Sequence, residues 1–300
     1  MDDKDAESED RQQRAVQSVE VGGRLLLALA GHPGPMTLKD LAAAADLPPS
    51  RAHPYLVSFG RLRLIEQDGA GKYALGPAAL QLGLACLFQL DPVRVATPVA
   101  EELAASTGYA VALAIWGNFG PTIVRMIEAR QPLHVAMRAG TVMSILGTAT
   151  GRAFAAVMTP ERLEQDVAGA LGDTAPMNTR PRLRPHAHEL REIAADYERH
   201  GVTRAVGRPI PGVNAFSAAA FDHEGTPAIV ITAFGHQDDF PPSWNSDAAR
   251  AVRGAAAAIS ARLGWSTAAA DGSRSRSQPT DASSESAAAP DRSKAHRRTG

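Results

Sequence analysis

Basic and hydroxyl side chains gather in two short stretches that could do binding chemistry. The first, PPSRAHPYLVSFGRL (residues 48–62), places Ser50, Arg51, His53 and Tyr55 at the start of a segment in which Leu56, Phe59 and Leu62 recur at helical spacing. Arginine or histidine at the N-terminal end of an exposed helix can reach a phosphate oxygen or a base edge. The second stretch, GTATGRAFAA (147–156), opens on small residues. Thr148 can cap a helix that begins with Ala149, Thr150 and Gly151. Free backbone N–H groups and the helix dipole at such an end suit a carboxylate, and small side chains let a ligand approach the backbone.

Catalytic constellations are missing from the sequence. There is no phosphate-loop pattern, no GxSxG and no GxGxxG. In PHAHE (185–189), His186 and His188 stand two apart and cannot share a helical face with Glu189 as a metal pair at i, i+4 would. The single cysteine, Cys86 in LGLACLFQL, reads as a buried structural residue of an apolar helix. One thiol cannot close an internal disulfide and suits a reducing compartment. No enzyme activity, metal or cofactor is expected.

The chain has 300 residues, enough for two ordinary domains, and a net charge of -1. Any nucleic-acid surface must therefore be local. The acidic opening MDDKDAESED is unlike a signal peptide, and runs such as LLLALA are far too short to span a membrane. A cytoplasmic protein without membrane contact is expected. Residues 1–13 read as a disordered acidic tail, and residues 267–300, rich in Ser, Ala and Arg, as a second disordered tail.

Between the tails the pattern changes near residue 92. SVEVGGRLLLALAGH is an apolar helix stopped by Gly31 and Pro33. TLKDLAAAAD is a second helix, with Thr37 as its cap and Lys39 in its first turn. The stretch from 48 gives a third. LIEQDGAGKYALG is a hairpin with Lys72 on its turn, and PAALQLGLACLFQL is a helix opened by Pro77. Helix, helix, turn, helix, hairpin is the winged helix-turn-helix order, expected over 14–76 with a linker helix over 77–91. From 92 to 266, TPVAEELAAST, TATGRAFAAVM, RPHAHELREIAADYERHG and SDAARAVRGAAAAISARLGW read as helices. YAVALAIWGN, GPTIVRMIEA, LHVAMRAG, VNAFSAAAFD and PAIVITAFG read as strands. That mixture predicts an α/β chain of the α+β type, with an antiparallel sheet in its C-terminal domain.

Pro54 is the anomaly. A proline inside a helix removes one hydrogen bond and clashes with the carbonyl four residues back, at a cost of ~3 kcal/mol. Two helix starts would reduce that cost. Ser50 could cap, so that only the first bond of the ladder is lost, or His53 could cap and leave Pro54 at the first helical position.

Three separated segments resemble the IclR-type family of bacterial transcription regulators: residues 17 to 83, SILGTATGRAFAAVM, and GVNAFSAAAFDHEGTPAIVITAFG. The first is similar to the family run GLP.S..HR.L..L...GL.E......Y.LG. The resemblance spans roughly residues 17–265 and keeps the family's order. It implies a winged-helix domain, a linker helix and a GAF-like effector domain. It further implies a homodimer or homotetramer on double-stranded operator DNA, controlled by a small-molecule effector. Thr37, Lys39, Ser50, Arg51, His53, Tyr55 and Lys72 are then the candidate DNA contacts. The family usually has arginine where this chain has Pro54, so weaker or altered specificity is expected.

Thr148, Ala149, Thr150 and Gly151 are candidate effector contacts. Ungapped comparison from Gly212 adds four positions. Ala215 stands at the family's cysteine, Thr232 and Phe234 at two serines, and Val206 near an acid. This implies a less polar pocket for an apolar or aromatic effector, with Arg204 or Arg208 as a partner for one acid group. The competing reading is a sensor or interaction module that keeps the fold but no longer reads an operator.

Overall fold

Apolar residues three and four apart in QSVEVGGRLLLALAG wind into α1 (Gln17–Gly31) and bury Val21, Leu25 and Leu29 on one face. The computed structural model describes residues 16–128, 137–159, 163 and 187–265, and the fold divides into two compact units between Leu90 and Asp91. In the N-terminal unit α2 (Leu38–Ala44) is capped by Thr37, whose Oγ1 accepts from the Asp40 N–H at 3.2 Å and donates to Asp40 Oδ2 at 2.8 Å. The chain reverses at Asp46, in the left-handed region at φ 55°. It then enters α3 (Pro49–Arg61). A Cβ on Gly22 would lie 2.7 Å from Phe59 Cζ, so glycine permits α1 to come this close to α3.

Neither expected start of the third helix is found. Pro48 is the extended N-cap at ψ 145° and Pro49 takes the first helical position, where a missing N–H costs nothing. The helix has therefore begun before Ser50 or His53 could cap it, and Pro54 is its sixth residue. The bond lost is the one to the carbonyl of Ser50, an exposed residue whose carbonyl water can reach.

The hairpin pairs β1 (Ile65–Gln67) with β2 (Tyr73–Leu75), antiparallel, with Ile65 opposite Leu75. Its turn is held by Asp68 Oδ1, which accepts from the N–H groups of Ala70 and Lys72 at 2.9 and 2.8 Å. Met36 and Tyr73 exchange backbone hydrogen bonds of 2.9 and 2.7 Å, which tie the hairpin to the segment before α2. Helix α4 (Pro77–Phe88) buries no residue. Leu80, Leu82, Leu84, Leu87 and Phe88 are all exposed on it, and so is Cys86, contrary to the expectation of a buried thiol. Apolar composition made Cys86 look internal, but nothing within the described residues covers α4.

In the C-terminal unit α5 (Pro92–Thr107) is capped by Asp91, whose Oδ1 accepts from Val93 and Arg94. A five-stranded antiparallel sheet follows in the order β4-β3-β7-β6-β5. Its strands are β3 (Ala110–Gly117), β4 (Gly120–Ile127), β5 (Thr203–Val206), β6 (Val213–Phe221) and β7 (Pro227–His236). Helices α5 and α8 (Asp247–Arg262) pack against the sheet, and so do α6 (Ala149–Val157) and α7 (Ala187–His200). The α+β expectation is met. One strand, β5, had no counterpart in the sequence reading. Of the strand expected in LHVAMRAG, residues 133–136 lie outside the described residues. Met137–Gly140 form a turn in which Thr141 N–H donates to the Arg138 carbonyl at 3.0 Å. Residues 1–15, 266–300 and His186 also lie outside the described residues.

Candidate functional site

The face that α3 presents to solvent is set by what it buries. Ala52 and Leu56 enter the core, and Tyr55 packs half-buried against the same cluster together with Phe59. Ser50, Arg51, His53 and Pro54 are left exposed near the N-terminal end of the helix. Tyr55 is thus a packing residue rather than a presented contact. Its place beside Leu56 and one helical turn before Phe59 turns the ring inward. Thr37 and Lys39 are exposed at the start of α2, although the Thr37 hydroxyl is engaged by Asp40. Lys72 is exposed on the wing, where the Asp68 turn fixes its backbone. These exposed groups give the N-terminal unit local basic character on a chain of nearly balanced charge.

A second feature lies between the sheet and α6. Six of the eight residues expected around an effector line one small cavity: Thr148, Ala149, Thr150, Ala215, Thr232 and Phe234. Strand register brings them together. Ala112 is opposite Thr232, Phe234 is opposite both Ala110 and Ala215, and Ala215 is opposite Ala205. Directly opposed residues share a face, so all of these look toward α6. The cavity holds about 40 Å³, room for about three waters.

Two expected residues are not in it. Gly151 faces the preceding loop: a Cβ there would lie 2.1 Å from the Ser144 carbonyl oxygen and 2.5 Å from Ile145 Cα. The glycine is needed for close packing of α6. Val206 is exposed and lies outside this cavity, because the neighbouring Ala205 carries the inward position of β5. The ungapped count reached the right strand but the wrong side of its pleat.

Of the residues that cover the cavity, sequence reasoning named only Arg208. Met137 and Met143 line it, and so do Arg208, Pro209 and Ile210 from the loop between β5 and β6. Alternation along the strands could have found Ala112 and Val213. Nothing in loop composition would have singled out the two methionines, Pro209 or Ile210. Arg204 is drawn away: its Nη1 donates to the Pro242 carbonyl at 2.7 Å and its guanidinium lies 4.1 Å from the centre of the Trp244 ring.

The polar end of the cavity is built from hydroxyls. Thr148 Oγ1 accepts from the Gly151 N–H at 2.9 Å. Thr150 Oγ1 is 2.9 Å from Thr232 Oγ1, which is 2.7 Å from Ser217 Oγ, and all three residues are buried. Among the described residues no acceptor meets the backbone N–H groups of Ala149 and Thr150. Both residues are buried at the cavity wall, where donors without a partner are rare and costly. No group of three or more His, Cys, Asp or Glu that could hold a metal occurs among the described residues. None of the described helices is long and apolar enough to cross a membrane.

Comparison with known proteins bears on both features. A model of the IclR helix-turn-helix domain matches residues 18–69, and a model of the bacterial transcriptional regulator IclR C-terminal domain matches residues 85–261. The chain is 28% identical over 263 residues to the glycerol operon regulatory protein of Streptomyces griseus, covering 84% of this chain and 98% of that one. It is 24% identical over 249 residues to the regulator KipR of Bacillus subtilis, covering 80% and 94%. Among solved structures, Pseudomonas aeruginosa HmgR superposes with a TM-score of 0.74 at 30% identity, over 84% of this chain and all of that one.

Proposed function

The chain belongs to the IclR family of DNA-binding transcriptional regulators with a C-terminal effector domain, and from that premise we propose that it is a ligand-responsive repressor or activator. It binds its operator as a homodimer or homotetramer, and it senses a small, rather apolar or aromatic metabolite carrying one acid group. The observation that carries this reading is the composition of the cavity. Ile123, Met137, Met143, Ile210, Val213 and Phe234 supply apolar surface, and one pole offers two unaccepted N–H donors at the start of α6. A carboxylate at that pole would satisfy both donors and meet the positive end of the helix dipole. As described the cavity is small, about 40 Å³. An aromatic effector enters only if the methionine side chains and the Arg208–Ile210 loop give way, and methionine is the side chain best suited to yield.

On the DNA side, Arg51, His53 and Lys72 are the groups offered to phosphates and base edges, with Lys39 at the margin. Pro54 occupies an exposed site on the same face and contributes no donor. The exposed apolar side of α4 supports self-association, because leucines and a phenylalanine of that extent are rarely left in water by a monomer.

The test is binding of the whole chain to its own upstream intergenic DNA against an equal-length random duplex across a salt series, with and without aryl carboxylates. Operator affinity well above the random duplex at matched salt, altered by an aryl carboxylate, is the expected result. Equal and steeply salt-dependent binding to both duplexes would favour the module that has lost operator reading. Thermal stabilisation by small hydrophilic acids alone would refute the apolar effector.

A further inference from the structure

A second cavity opens beside the first, with Ala205 and Arg208 bordering both. It is a cleft of about 560 Å³, within the range of about 300–1,000 Å³ typical of small-molecule sites. Among the described residues its charged lining is Arg152 from α6, Glu189 from α7, Arg204 from β5 and Arg208 from the β5–β6 loop. Three arginines stand against one glutamate among the described residues that line it, a formal excess of two positive charges on a chain whose net charge is -1. Arginine cannot relieve this by losing a proton.

Two of the three arginines are already held in place. Arg152 Nε donates to the Leu146 carbonyl at 2.7 Å, and its Nη2 lies 3.5 Å from Glu189 Oε1. Arg204 is fixed by the Pro242 carbonyl and by stacking on Trp244. Both retain further N–H donors, since a guanidinium has five. Arg208 makes no hydrogen bond or ion pair to a described residue. Preset cations lose little freedom when an anion arrives.

The geometry points to an anion site in this cleft, separate from the effector cavity, for a small metabolite with two or more negative charges: a phosphate ester or a dicarboxylate. Fork-shaped guanidinium groups match both oxyanions. Because Arg208 borders both cavities, filling one biases the other, and this linkage is reciprocal. The site would let a second, charged metabolite adjust the response to the apolar one. It rests on the cleft alone and does not depend on what the buried cavity holds.

The test uses the full chain without DNA or effector. Inorganic phosphate and succinate serve as probes, titrated calorimetrically at ionic strength held constant with sodium chloride. Saturable binding of at least one probe is expected. Arg208→Gln should weaken it about tenfold, while Glu189→Gln should tighten it by removing a carboxylate that repels the anion. Phosphate without succinate assigns the phosphate-ester class, and the reverse assigns the dicarboxylate class. Arg204→Gln is a third variant; should it lose the fold with its Trp244 contact, the other two still decide. Two results overturn the proposal: no saturable binding of either probe, or binding that neither Arg208→Gln nor Glu189→Gln changes.

Discussion

Replacing Pro54 with alanine should stabilise the N-terminal unit, and the size of the gain can be worked out. Pro54 is exposed, so its removal opens no cavity. Alanine restores an N–H donor to the Ser50 carbonyl and removes the ring that crowds it. An interior proline costs ~3 kcal/mol relative to alanine. Against this, the unfolded chain gains freedom that proline denied it, worth about 0.4–1 kcal/mol. The expected net gain is about 2 kcal/mol. In Pro54→Ala, amide exchange in α3 should slow by about 30-fold, measured by hydrogen–deuterium exchange mass spectrometry on peptides covering residues 49–61. An internal control is built in. Trp116, Trp244 and Trp265 all lie beyond residue 90, so tryptophan fluorescence follows the C-terminal unit and should melt unchanged. Unchanged or faster exchange in α3 would refute the reasoning, since it would mean that the proline costs nothing where it stands.

Other perturbations probe the C-terminal unit. Gly151→Ala should destabilise by about 1–3 kcal/mol, seen as a lower melting temperature by tryptophan fluorescence, because the new methyl meets backbone atoms that cannot swing aside. Thr232→Val keeps the shape but removes a hydroxyl that both Thr150 and Ser217 contact; a loss of about 1–3 kcal/mol is expected, with Thr232→Ser close to the parent in the same melt. Burial pushes the Tyr197 phenol above its ordinary value of 10.0, partly offset by the Ala219 N–H that donates to it. The folded state therefore holds this proton more tightly than the unfolded state. Its contribution is full below pH 10 and is lost as pH rises from there through the folded value. Alkaline melts should show that slope, and Tyr197→Phe should flatten it.

The elements that stand on strong periodicity were readable from the sequence. Leu56 and Phe59 mark the inner face of α3, and the short apolar runs VNAFSAAAFD and PAIVITAFG, bounded by turn residues, gave β6 and β7. What escaped was decided by tertiary contact. Thr203–Val206 are only four residues, too few for alternation to register, and they become a strand because β6 offers them an edge. Gly151 looked like an opening for a ligand, yet its missing side chain is spent on the Ser144 carbonyl. Val206 and Ala205 differ by one residue, which in a strand is the difference between solvent and cavity. At the third helix the two expected caps were reasonable hydrogen-bonding residues. Backbone geometry overruled them, since two successive prolines fix the entry to the helix before either is reached.

The three hydroxyls at the floor of the cavity form a line that can be read in either direction. If Thr150 donates to Thr232 and Thr232 to Ser217, the Thr150 oxygen turns lone pairs toward the cavity; if the protons rotate the other way, Thr150 turns its hydrogen there instead. Both states keep every internal bond, so the floor can welcome an acceptor or a donor without moving a heavy atom. A ligand's polar group is therefore not sorted by sign at this surface. Discrimination falls to the shape of the methionine-lined cover and to the fixed N–H groups of Ala149 and Thr150, which only an acceptor can satisfy.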